Sequence, residues 1–228
     1  MTGRGKAAGR RRRAGSTILI RLVRPAACPT VRALARRPLR LKELTAELDG
    51  PSAGTVRVRL DDLVALGAVA KSGGGMPYAV RNELTGVGRD LLRVVDAVDE
   101  WLSRAPKGAI PIGGAAAKAA VKALVGGWES TVLHALAAGP QSLTGLDRAI
   151  DGFNYPVFER RLAALRSAGL VEPVPSAVGR PFRIDPWGRE GTGPLLAAVR
   201  FERTHMSTET VPLSAADEEA LSLLAPGA

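Results

Sequence analysis

The chain has 228 residues, enough for one large or two small domains, and 46% of them are hydrophobic, which supports real cores. Its longest apolar stretches, such as Ile18-Leu19-Ile20 and Ile110-Pro111-Ile112, fall far short of a bilayer span, and a lone cysteine, Cys28, excludes an internal disulfide and a cysteine-based zinc site. The net charge of +10 is unevenly placed: residues 1–42 hold 13 Lys/Arg and no acid, residues 43–104 hold 7 bases against 10 acids, and residues 105–228 hold 12 of each.

Residues 1–15, with Arg10, Arg11, Arg12 and Arg13 in a Gly/Ala-rich setting, read as a basic disordered arm that attracts polyanions. The plainer alternative is a solvated, solubilising tail or an upstream start-site extension. A secretory signal is not expected, because no apolar h-region follows Arg13 and because Arg21 and Arg24 interrupt the next apolar run. The single thiol fits a reducing compartment, so the expected location is cytoplasmic, with no membrane partner. Arginine outnumbers lysine 26 to 6 alongside abundant Ala, Gly and Pro, the pattern of a high-GC genome, so arginine richness alone says little about nucleic acid.

From residue 33 the chain carries a unit that recurs 102 positions later without a gap. Leu34/Leu136, Pro38/Pro140, Leu44/Leu146, Asp49/Asp151, Gly50/Gly152, Arg59/Arg161, Leu60/Leu162, Leu63/Leu165 and Gly67/Gly169 are among the matches. In each copy an apolar helix ends near a proline. A short second helix follows, with Leu41, Leu44 and Leu48, or Leu143, Leu146 and Ile150, on one face. Asp-Gly then breaks the chain before a third helix. Its apolar side is expected to hold Val56, Leu60, Leu63 and Gly67, matched by Phe158, Leu162, Leu165 and Gly169. Two helices around a glycine-containing turn make a helix-turn-helix.

A strand, a Gly- or Pro-rich turn and a second strand come next: residues 68–70 and 78–80 in the first copy, 170–172 and 182–184 in the second. One closing helix per copy is expected after each hairpin, running through Val98, Trp101 and Leu102 in the first and through Leu195, Leu196 and Val199 in the second. The predicted fold is therefore mainly α with small β wings, two tandem winged helix-turn-helix domains. Domain 1 spans 16–104, a Gly/Pro-rich linker 105–114, and domain 2 115–206, led by a helix over residues 115–124. A tail at 207–228 holds a short amphipathic helix capped by Ser214, with Leu221 and Leu224 as anchors, which covers the core or joins a dimer interface.

Gly126-Gly127-Trp128 before a helix, then Ala138-Gly139-Pro140, Leu143, Leu146, Asp151-Gly152 and Arg160-Arg161-Leu162 running to Ala168-Gly169-Leu170-Val171, resembles the HxlR-type bacterial winged-helix transcriptional regulators. The first copy matches through Arg36-Arg37-Pro38-Leu39, Leu44, Gly50, Ser52, Arg59-Leu60, Leu63 and Gly67. Together the two matches cover about 180 residues. The resemblance implies a sequence-specific regulator that binds double-stranded DNA. Family members typically carry one such domain and bind as homodimers, so a covalent tandem pair imitates the dimer, and whether it dimerises again stays open.

On the third helix, steps of 100° put Gly54, Val58, Asp61 and Ala65 outward, flanked by Arg57 and Arg59. The second copy turns Pro156, Arg160, Ala163 and Ser167 outward, flanked by Glu159 and Arg161. The candidate DNA contacts are Arg10 to Arg13, Ser52, Thr55, Arg57, Arg59, Lys71, Asn154, Arg160, Arg161 and Arg180. Ser52 and Asn154 are first N-caps and only second phosphate contacts. Arg59 and Arg161 either bind phosphate or form intradomain ion pairs with a carboxylate such as Glu43 or Asp147. Lys71 and Arg180 lie in the wings, as groove contacts or solvated loop charges.

Cys28 reads as a buried, inert thiol, with Arg24 the neighbour that could depress its pKa. His134 and His205 share no metal-ligand spacing and have no nucleophile beside them, and the chain has no phosphate-binding Gly-rich loop before a lysine. No cofactor and no catalysis are expected. The runner-up function is a tandem winged-helix protein-interaction module of the chromosome-organising kind, without DNA readout. The operator, the regulated genes and any small-molecule effector are not legible in the sequence.

Overall fold

The computed structural model describes residues 15–73, 80–150, 154–175 and 179–206. The arm with Arg10 to Arg13, the Asp151-Gly152 break, the tips of both hairpins and the C-terminal tail helix lie outside the described residues. The structure is mainly helical, with two small antiparallel two-stranded sheets.

The first repeat runs α1 (Ser16–Leu22), α2 (Ala27–Arg36), α3 (Leu41–Glu47), α4 (Ala53–Ala65), β1 (Val69–Ser72), β2 (Arg81–Leu84) and α5 (Gly86–Ser103). The second runs α6 (Ala115–Val125), α7 (Gly127–Ala137), α8 (Leu143–Ala149), α9 (Tyr155–Ser167), β3 (Val171–Pro173), β4 (Phe182–Ile184), α10 (Pro186–Glu190) and α11 (Thr192–His205). The expected stripes are inside: Val56, Leu60 and Leu63 of α4, and Phe158, Leu162 and Leu165 of α9, are all buried, as are Leu44 and Leu146 of the short helices.

Gly67 and Gly169 were expected on the apolar side of the third helix; they stand beyond its end, at φ 74° and 80°. There they let the chain reverse, so that Ala68 N–H donates to Leu63 O at 2.9 Å and Leu170 N–H to Leu165 O at 3.0 Å. This capping leaves fewer C-terminal carbonyls without partners and aims the chain into the hairpin.

The two hairpins pair alike, Val69 opposite Leu84 and Val171 opposite Ile184. Each is extended by one residue from the turn after the first apolar helix: Leu39 pairs with Asn82, and Gln141 with Phe182. The second strand of the first hairpin was expected at 78–80 and lies at Arg81–Leu84. Its inward positions are Asn82 and Leu84 rather than a run of apolar residues, and the buried Asn82 side chain is satisfied by donating to Leu39 O at 3.0 Å.

The second closing helix also departs from expectation, because it is broken at Gly191 into α10 and α11. A Cβ at Gly191 would come within 2.8 Å of Leu124 Cδ2, so α6 occupies the space that a side chain at the break would need.

Buried residues of both repeats join one hydrophobic cluster. Helix α5 packs on α11, and α1 packs on both α11 and α6. The carboxylate of Glu202, on α11 and only 3% exposed, accepts from Gly15 N–H at 2.7 Å and Ile18 N–H at 3.0 Å. The last helix of the second repeat thereby caps the first helix of the first, where a negative charge also suits the helix dipole. The segment 105–114 is tied to both repeats: Ile110 N–H donates to Leu102 O at 3.0 Å, and Lys107 Nζ to Ser167 O at 2.7 Å.

Candidate nucleic-acid interface

Helix α4 is fixed at its start by Ser52, whose Oγ accepts from Thr55 N–H at 3.2 Å and shares a hydrogen bond with Thr55 Oγ1 at 3.0 Å. Asn154 starts α9 the same way, accepting from Val157 N–H at 3.4 Å. Both residues are N-caps, and the hydroxyl of Thr55 is engaged with its own cap.

The outward faces follow the 100° construction. Gly54, Arg57, Val58, Asp61 and Ala65 are exposed on α4, and Pro156, Glu159, Arg160 and Ala163 on α9. Val58 is 52% exposed at the middle of its face, an uncommon place for a valine. Arg160 stands at the matching position and has no ion pair among the described residues, and neither does Arg57.

The two shared arginines both have partners within their own repeat. Arg59, with its side chain 17% exposed, is paired with Asp62 in the next turn of α4, and Arg24 reaches the same carboxylate at 3.6 Å. An ion pair is therefore present at Arg59, but its partner is Asp62 rather than Glu43. Arg161 does not meet Asp147 either: its guanidinium lies 5.2 Å from the ring centre of Trp128, which packs edge-on against Phe158.

In the wings, Lys71 bonds Asp61 at 3.0 Å and so ties β1 to the outward face of α4. Arg180 is exposed and holds φ at 44°, a left-handed conformation uncommon for a residue with a side chain.

Two further bases, both within the basic first 42 residues, complete this surface. Arg40 and Lys42 join Glu43, Arg57, Asp61 and Lys71 around a cleft of about 800 Å³ between α3, α4 and the β1–β2 hairpin. Glu43 accepts from Arg40 N–H at 2.8 Å, and this bond, with Arg81, Arg40 and Arg37 nearby, holds its carboxyl below the usual range. Lys42 has no ion pair among the described residues. A periodicity argument assigns α4 an outer face but cannot show that α3 and the hairpin wall it in.

Cys28 is buried in α2, with Sγ 3.3 Å from Leu22 O. Arg24 does not act on it as expected. Burial pushes the thiol up to about 12, and the cation that opposes this is Arg32, itself paired with Asp96 and Asp99. His205 lies 2.9 Å from Asp90, joining α11 to α5, and among the described residues no His, Cys, Asp and Glu gather as a metal would need. No helix among the described residues is long and apolar enough to cross a membrane. No protein-family model matches the chain, and no curated protein matches it.

Proposed function

We propose that the chain is a sequence-specific, DNA-binding transcriptional regulator built from two tandem winged helix-turn-helix units that act as a pseudo-dimer in the cytoplasm. The observation that carries this reading is the repeated presentation of a capped 13-residue helix, α4 and α9, each with its apolar stripe inside and its opposite face exposed, between a short helix and a hairpin. A helix so displayed can enter a major groove about 12 Å wide, while the preceding helix and the wing meet the backbone. Free Arg57 and Arg160 supply the chemistry: a guanidinium donates two bonds to guanine O6 and N7, or one to a phosphate. The HxlR-type resemblance points the same way.

A protein-interaction module is the second reading, favoured by the exposed Val58 and Tyr155 on the same helices. Selection of genomic fragments by the purified protein separates the two. A regulator enriches a defined site, whereas an interaction module enriches none.

A further inference from the structure

We infer that the two repeats divide the work on DNA, and that the cleft between α3, α4 and the β1–β2 hairpin is the phosphate grip, for which the second repeat has no counterpart. This deepens the DNA-binding reading and rests on it. Six charged residues surround the cleft: Arg40, Lys42, Glu43, Arg57, Asp61 and Lys71. At the 102-residue offset they become Ser142, Thr144, Gly145, Glu159, Ala163 and Pro173. Four bases against two acids thus give way to a single acid at the matching positions of a like arrangement of short helix, long helix and hairpin, so the charge belongs to this cleft and not to the fold.

The two acids reduce the charge of the cleft but leave it at +2, four bases less two acids. Asp61 is paired with Lys71 at 3.0 Å, and the Glu43 carboxylate is turned to the start of α3, accepting from Arg40 N–H at 2.8 Å. Lys42 and Arg57 remain without ion pairs among the described residues and line the cleft from different helices, one on α3 and one on α4. An open cleft with a cation from each helix suits a continuous anionic strand, and a duplex backbone presents one charge about every 3.4 Å along each strand. Placing that strand in the first cleft brings Val58, one residue along α4 from Arg57, towards the base edges. The second repeat then contributes Arg160, held beside Glu159, which repels phosphate but accepts from cytosine N4. The first repeat supplies the phosphate anchor, and the second reads bases through Arg160 without such a grip.

The test is fluorescence anisotropy of the full chain on a duplex of mixed sequence over a range of salt, comparing wild type, K42A/R57A and R160A/R180A. The variants lose the same charge from exposed positions, one pair in each repeat. The log-log salt slope of K42A/R57A should shallow by about 1.8, at about 0.9 per phosphate contact, while that of R160A/R180A moves by less than about half a unit. K42R/R57K, which keeps both charges, should retain the wild-type slope, and this separates charge loss from local misfolding. Equal shallowing in both alanine variants, or none in K42A/R57A, overturns the division of labour and leaves DNA binding standing. Wild-type protein without salt-dependent binding overturns both.

Discussion

Trp101 and Trp187 exchange hydrogen bonds across the two repeats: each indole N–H donates to the other residue's backbone carbonyl, at 2.9 and 2.7 Å, while the rings stack 4.7 Å apart and 9° from parallel. Both residues are buried, so neither carbonyl has water as a substitute. The pair closes the seam where the end of α5 meets α10.

Replacing either tryptophan by phenylalanine keeps a ring but removes an indole donor: Trp101→Phe takes it from the buried Trp187 carbonyl, and Trp187→Phe takes one of two from the Trp101 carbonyl, which still accepts from Arg104 N–H at 3.2 Å. Trp101→Phe and Trp187→Phe should each lower unfolding free energy by about 1 to 3 kcal/mol, and a double-mutant cycle should give a coupling of about 0.5 to 3 kcal/mol. Because the repeats share one hydrophobic cluster, urea unfolding should be a single transition for wild type. Two resolved transitions, or strictly additive mutants, would show that the repeats are energetically independent.

Arg59→Ala and Arg161→Ala test whether the shared arginines belong to the fold. One loses the pair with Asp62, the other its stacking on Trp128. Each should cost about 1 kcal/mol, or about 2 to 4 °C in melting temperature for a chain of this size, with the salt dependence of DNA binding unchanged. A shallower salt slope at an unaltered melting temperature would return them to the phosphate-contact role.

The helices were legible because their buried residues repeat at helical spacing within one segment: Val56, Leu60 and Leu63 declare the inner face of α4 without help from the rest of the chain. The displaced β2 was not, since the inward Asn82 depends on a carbonyl 43 positions away, and polar residues in a strand pattern read as solvent-facing. Glu202 was passed over for the same reason. Nothing local distinguishes it from a surface acid, and its two partners lie 187 and 184 positions earlier. The candidate interface was half legible. Arg57 and Arg160 follow from helical geometry, whereas Arg40 and Lys42 become part of a site only when α3 and α4 are set at an angle around the hairpin.

Cys28 should be inert. With the thiol pushed up to about 12 by burial, against a reference of 9.0, there is no thiolate to react at neutral pH. Iodoacetamide should label it only after denaturation, and peroxide should leave DNA binding unaltered. Since the folded value is the higher one, the thiol's contribution to stability is intact below about pH 9 and is lost as pH rises towards about 12. Rapid labelling of the native protein at neutral pH would refute this assignment.

Gly88 and Gly188, at matching places in the two repeats, let α5 and α10 approach the start of each hairpin. A Cβ at Gly88 would fall 2.2 Å from Ala68 O, and one at Gly188 would fall 2.6 Å from Leu170 O. Backbone cannot yield as a side chain does, so Gly88→Ala and Gly188→Ala should each destabilise by about 1 to 3 kcal/mol, the former more. Thermal denaturation measures the order, and a neutral Gly88→Ala would mean that the helix shifts freely against the hairpin.

If both repeats read DNA, the selected site should consist of two dissimilar halves whose centres lie about 34 Å apart on one side of the duplex. The asymmetry follows from Val58 and Arg160, which hold the same place on α4 and α9 with opposite chemistry. An exposed valine offers a contact to the thymine methyl group, and a free guanidinium a bidentate bond to guanine. Substituting uracil for thymine in the half bound by the first repeat should therefore weaken wild type, and Val58→Ala should abolish the difference. Arg160→Ala should relax base preference in the other half alone, by about 1 to 3 kcal/mol. Competition binding on single-base variants of the selected site measures both effects. A palindromic site would show instead that one kind of helix supplies both halves, with two chains assembling to bring it there twice.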